Sequence, residues 1–110
     1  MATKANLVID QGTTFSTTLN LTDENGDILQ LTGFYANSQI RKWYTSSNAV
    51  NFVTSINTNS GTITLTLDAN TTNSLAAGRY VYDVEITESS SNAVSRVVEG
   101  IVTVTPGVTR

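Results

Sequence analysis

Asp83 and Glu85 stand two residues apart in the stretch Tyr82-Asp83-Val84-Glu85-Ile86, and a pair of carboxylates is the least equipment a hydrolase needs for acid and base work. Their spacing points elsewhere. In an extended strand residues two apart project from one face, which reads as a solvated pair beside Arg79. Glycoside cleavage needs carboxyl groups that face each other across a cleft. The chain has no histidine and no cysteine, so Ser-His and Cys-His nucleophiles, disulfides and thiolate metal sites are all excluded.

Asp23, Asn25 and Asp27 look like the start of a calcium loop. Yet Gly26 is the fourth residue of that run and Phe34 the twelfth, where an EF-hand has glycine sixth and glutamate twelfth. A hairpin turn accounts for the run better. Asn20-Leu21-Thr22 and Asn70-Thr71-Thr72 match the glycosylation sequon, which a threonine-rich chain produces by chance. There is no glycine-rich phosphate loop, and the six basic residues are scattered rather than striped. The expectation is a non-enzyme with no catalytic, metal or cofactor-binding residue, no cofactor, and no residue assignable to partner binding.

Nine acidic against six basic residues give a formal net charge of −3, a field that repels phosphate backbones and speaks against nucleic acid as a partner. Only 14% of residues are charged, less than disordered chains usually carry; polarity rests on Thr, Ser and Asn. At 110 residues one core is expected and no second domain. The opening MATKANLVID lacks the apolar run of a signal peptide, and no later run approaches the roughly 18 residues that span a membrane. A soluble chain made in the cytoplasm, with no membrane partner, is expected.

Thr, Val, Ile and Tyr recur with period two, which favours strands. Candidate strands are Asn6 to Asp10, and Thr13 to Asp23 with Phe15, Leu19 and Leu21 on one face. After an Asn25-Gly26 hairpin turn, Ile28 to Leu31 is a short return strand, and Thr32-Gly33-Phe34 a turn. Ser38 to Tyr44 can bury either Ile40 with Tyr44 or Trp43 with Gln39; the bulk of the indole favours Trp43. Val50, Phe52 and Ile56 mark another strand. Thr62 to Leu67 puts Ile63, Leu65 and Leu67 inward and its threonines outward. Asp68 to Ala77 is the one plausible helical turn, with Gly78 as its stop. Arg79 to Thr87 aligns Tyr80, Tyr82, Val84 and Ile86, and Glu88 to Asn92 is a turn. Val94 to Glu99 and Gly100 to Thr105 form a strand pair or one long strand bent at Gly100. Residues 1–5 read as an N-terminal arm and 106–110 as a C-terminal tail of a single domain spanning 1–110.

About seven to nine short strands separated by turn signals are the pattern of an all-β antiparallel sandwich. Leu75-Ala76-Ala77-Gly78 followed by Tyr80 resembles the corner of immunoglobulin-like sandwiches, in which a tyrosine at the start of a strand bonds back to upstream backbone. Tyr82 takes the place of the second cysteine of antibody domains, and Trp43 that of the core tryptophan. The alternative is that both tyrosines are ordinary core aromatics of another β-fold. The expected fold is therefore an antiparallel Ig-like β-sandwich with one short helical turn.

The stretches VIDQGTTFSTTLNLTDENGDILQLTG (Val8 to Gly33), QIRKWY, GTITLTLDANTTNSLAAGRYVYDVEIT (Gly61 to Thr87) and EGIVTVTPGVTR (Glu99 to Arg110) together resemble small β-sandwich virion proteins of tailed bacteriophages. The "DQG-T" opening and "L-TG" step are similar to the N-terminal domain of phage baseplate upper proteins. The resemblance implies a non-enzymatic structural protein localised to the virion, a capsid decoration or accessory protein or a tail or baseplate adaptor. Its partners would be other virion proteins, met in multiple copies or as a homo-oligomer through edge strands, loops and termini. Ile101 to Thr105 is the expected docking edge, with an interior strand as its alternative. A cell-surface or carbohydrate-binding sandwich stacking sugars on Tyr35 or Trp43 is the competing function.

Overall fold

Period-two alternation becomes strand almost everywhere it occurs. The computed structural model describes residues 3–23, 25–43 and 49–108. Among them the strands are β1 (Thr3–Lys4), β2 (Leu7–Asp10), β3 (Phe15–Asn20), β4 (Phe34–Arg41), β5 (Val50–Asn51), β6 (Val53–Asn57), β7 (Thr62–Leu67), β8 (Gly78–Glu88) and β9 (Val94–Thr105), with one helix, α1 (Ala69–Ser74), between β7 and β8. One sheet has the order β1-β9-β8-β4-β5 with β2 also on β9, and the second has the order β3-β7-β6. The chain is an all-β sandwich, as expected from its alternation, and its pairings are antiparallel apart from β1 and β2, which run parallel to β9.

Both sheets feed one core. Ile63, Leu65 and Leu67 enter from β7; Ile40, Tyr82, Val84, Ile86, Val98, Val102 and Val104 enter from the larger sheet, with Leu7 and Ile9 from β2. The expected inward set of Thr62 to Leu67 is thus the observed one. Burying such aliphatic side chains stabilises by roughly 1.5–3 kcal/mol each against leaving them in water, which is why parity along these strands is strict.

Several elements depart from expectation. Residues 3 and 4 do not form an arm: Thr3 and Lys4 pair with Val98 and Glu99. Met1, Ala2, Thr109 and Arg110 lie outside the described residues, while Gly107 is tied to the body by its N–H on the Gln11 Oε1 (3.1 Å). The Asn25-Gly26 turn forms with only Gly26 at positive φ (+85°), and the Asp23 carboxylate accepts from the N–H of Asn25 (2.9 Å) and of Asp27 (3.0 Å). Its return segment is a single bridge, Thr22 to Ile28, not a strand to Leu31; Leu31 is instead fully buried.

Val50 and Ile56 belong to two strands in different sheets, with Phe52 between them. The switch occurs at Phe52, whose ring drops into the core while its N–H donates to the Ser38 carbonyl (3.0 Å). Trp43 is not the core tryptophan: it is 66% exposed, whereas Ile40 is 1% exposed. Ser38 and Ile40 set the phase of β4, and the Ser38 hydroxyl is satisfied inside by the Asp83 carbonyl (2.6 Å). The aromatic volume comes from Phe52, packed edge-on to Tyr82 (6.1 Å between centroids) and tilted against Phe15 (6.0 Å). The other residue proposed to share Ile40's face, Tyr44, lies outside the described residues.

Helix α1 starts at Asp68, whose carboxylate accepts the Thr71 N–H (2.8 Å). Hydrogen bonds from the Thr71 side chain and backbone hold that carboxyl below its ordinary pKa. The helix ends at extended Leu75 rather than at Gly78. Gly78 opens β8 opposite Val104, with φ +139°. The last segment is one twelve-residue strand, β9, in which Val97 is an extra residue: Val84 faces Val98 while Glu85 faces Arg96.

Gly100 lies under the N-terminal strand, where a Cβ would stand 2.1 Å from the Ala5 carbonyl oxygen and 2.8 Å from its carbon. Both are backbone atoms that cannot swing aside. Gly100→Ala is expected to lower stability by about 1–3 kcal/mol and to raise amide exchange selectively across residues 3–10. Chemical denaturation with residue-resolved hydrogen exchange measures both, and an unchanged midpoint would contradict this account of the glycine.

Candidate docking surfaces

The two tyrosines of β8 act as structural fasteners. Tyr80 is half-buried, and its hydroxyl donates to the Ala76 carbonyl four residues upstream (2.6 Å), which is the corner contact expected from the sequence. Lys42 Nζ lies 4.7 Å from the centre of its ring, a cation–π contact. Tyr82 faces inward and is buried, and its hydroxyl donates to the Ala5 carbonyl (2.5 Å). Parallel pairing would direct that carbonyl to the Ile101 N–H. With it turned to Tyr82, Asn6 Oδ1 accepts from Ile101 N–H instead (3.1 Å). The register is unbroken across this interruption of the ladder: Lys4 faces Glu99 and Leu7 faces Val102.

The carboxylates of β8 lie on the outer face of the larger sheet, as their spacing requires, but the cation beside Asp83 is Arg96 and not Arg79. Arg96 Nε is 3.2 Å from Asp83 Oδ2, and its NH1 is 3.8 Å from Glu99 Oε2. Next to them Gln39 donates to Asn51 Oδ1 (2.8 Å), and Arg41 donates to Gln39 Oε1 (2.9 Å). This face is a paired polar lattice, and pairing of exposed charges is worth at most about 1 kcal/mol. Among the described residues no group of three or more His, Cys, Asp or Glu side chains is arranged to hold a metal ion.

Ile101 to Thr105 is not an edge. It lies inside the larger sheet, between β8 on one side and β2 on the other. The edges are elsewhere, and most are blunted. On the larger sheet one edge is the interrupted β1 and β2 segment carrying Lys4 and Asp10, and the other is the two-residue β5, which pairs with Gln39 and Ile40 alone and, among the described residues, leaves residues 34–37 of β4 without a strand partner on that side. On the second sheet β6 is tied across to the first by the Thr54 hydroxyl on the Ala36 carbonyl (3.0 Å). Among the described residues β3 is the remaining strand at a sheet edge: six residues, FSTTLN, without charge or proline. Natural edges are usually protected by such residues, by bulges or by covering elements. Composition did not single β3 out, because its alternation looks like that of any half-buried strand.

Exposed apolar side chains form a second kind of surface. Trp43 borders a hollow walled by Val50, Leu75 and Tyr80, and Tyr35 is 48% exposed on the outer face of β4. No protein-family model and no curated protein matches this sequence.

Burial pushes the Tyr82 phenol up to about 12. Because its folded-state pKa lies above that of the unfolded chain, the neutral phenol contributes stability that is intact below about pH 10 and is lost as pH rises through 12. Tyr82→Phe removes the donor to the Ala5 carbonyl and is expected to cost about 1–3 kcal/mol at neutral pH. It is also expected to flatten the fall in stability between pH 10 and 12. Denaturant titrations of both proteins across that range test this; parallel pH profiles would refute the role given to Tyr82.

Proposed function

We propose that this protein is a non-enzymatic docking module with an immunoglobulin-like topology, serving as a structural subunit in the virion of a tailed phage. The observation that carries the docking role is the open, uncharged edge strand β3 on a sandwich whose other long edge is tied down. Main-chain groups on such an edge pair with another strand irrespective of side-chain sequence. Two features support the Ig-like reading: strands β9-β8-β4-β5 stand opposite β3-β7-β6, and Tyr80 reaches back to Ala76. The virion assignment is supported by the resemblance of the Val8 to Gly33 and Gly61 to Thr87 stretches to phage sandwich proteins. Within a particle, repeated copies would turn modest single contacts into avid attachment, as a capsid decoration or a tail or baseplate adaptor. Mass spectrometry of purified particles from a host expressing the chain is expected to find it in many copies per particle. Recovery only from the soluble lysate would defeat the assignment.

The exposed indole of Trp43 beside Tyr80 favours one competing function, a carbohydrate-binding module in which a sugar stacks on the ring. Under the docking proposal, glycan arrays are expected to show no binding that Trp43→Ala abolishes. Binding lost in that variant with its circular dichroism unchanged would favour the carbohydrate module.

A further inference from the structure

We infer that the β3 edge pairs with the same edge of a second copy of this chain, antiparallel across a two-fold axis, joining two three-stranded sheets into one of six strands. The inference rests on the docking role of β3 and not on the virion assignment.

The direction of the backbone groups follows from the register. Antiparallel partners alternate between hydrogen-bonded and non-hydrogen-bonded pairs. Phe15 faces Leu67, Leu19 faces Ile63, and in the same register the Leu21 N–H donates to the Gly61 carbonyl (3.0 Å). Odd-numbered residues of β3 therefore bond to β7, while Ser16, Thr18 and Asn20 turn their N–H and C=O to the open side. The hydroxyls of Thr18 and Thr64, 3.1 Å apart, fit the closer spacing of a non-hydrogen-bonded pair.

Self-pairing centred on Thr18 keeps every side chain on its proper face. Ser16 meets Asn20 of the second copy, Thr18 meets its own counterpart, and about six main-chain hydrogen bonds form, two per pair. On the inner face Thr17 meets Leu19. Phe15 and Leu19 pack against the core but remain only partly buried at this edge, and a second copy would cover them. Charge permits pairing at this edge. Each copy carries −3, so acidic surfaces of two copies repel, whereas β3 carries no charge that opposes its own image. A two-fold contact of this kind is closed and does not propagate into fibres.

The test is sedimentation equilibrium of the full chain up to about 1 mM, well into the range where weak pairing is populated, alongside Thr18→Lys, Thr18→Pro and Ser55→Lys. Thr18→Pro removes only an edge-facing N–H, which a strand tolerates, and Thr18→Lys sets like charges at the axis. The parent and Ser55→Lys, altered on β6, are expected to sediment at twice the chain mass, and both Thr18 variants at the chain mass with unchanged circular dichroism. In a chain without cysteine, a pyrene attached at Thr18→Cys should add an excimer band. A parent monomeric throughout, including one that captures only a foreign strand, would overturn the inference. So would a dimer that survives both Thr18 variants.

Discussion

One phenol ties the larger sheet to the chain's beginning. Tyr82 lies at the centre of β8, its ring against Phe52 from the crossover between sheets, and its hydroxyl holds the Ala5 carbonyl. That carbonyl would otherwise continue the ladder along β9. With it turned inward the ladder is interrupted between β1 and β2, Asn6 supplies a substitute acceptor for Ile101, and backbone lies so near Gly100 that no side chain fits there. The break between the two short strands, the glycine in β9 and the asparagine ahead of β2 all meet at this one part-buried hydrogen bond. Losing its donor would leave a part-buried acceptor without a partner, a cost larger than the net value of the bond.

The surface around this core is polar without being charged. Asp83 pairs with Arg96 across strands, Arg96 also lies near Glu99 of its own strand, and elsewhere the sheets largely present hydroxyls and amides. The outer residues of β3, β7 and β6 are Ser16, Thr18, Asn20, Thr62, Thr64, Thr66, Ser55 and Asn57, with Val53 alone apolar. Such a surface exerts little long-range steering, and recognition falls to shape and to main-chain pairing. The two long edges of this sheet differ in kind: β6 is stitched to the facing sheet through Thr54 and Ala36, and β3 pairs only with β7.

Much of the architecture was legible in the sequence wherever one local rule was enough. Alternation in Thr62 to Leu67 assigned the inward residues because a one-residue slip would expose three aliphatic side chains. The break in period from Asp68 to Ala77 marked the helical turn, and Leu75 to Tyr80 marked the corner, whose contact is made within a few residues. Trp43 was misread because side-chain volume was weighed without knowing what else would fill the core; Phe52 and Tyr82 occupy that space, and the strand took its phase from Ser38 and Ile40. The division of Val50 to Ile56 between sheets leaves no mark in periodicity, because Phe52 is inward for both neighbours.

By itself the sequence determined that this is an all-β chain with one helical turn and that its chemistry excludes histidine and cysteine catalysis, and it pointed to a local corner contact at Tyr80. These follow from composition and from contacts between near neighbours. Only the tertiary structure decided that residues 3–10 lie parallel to β9, that Ile101 to Thr105 is interior, and that β3 is the open edge. Which strand lies at an edge depends on pairings between residues up to some ninety positions apart, and no local pattern of side chains encodes which partner a strand will be missing.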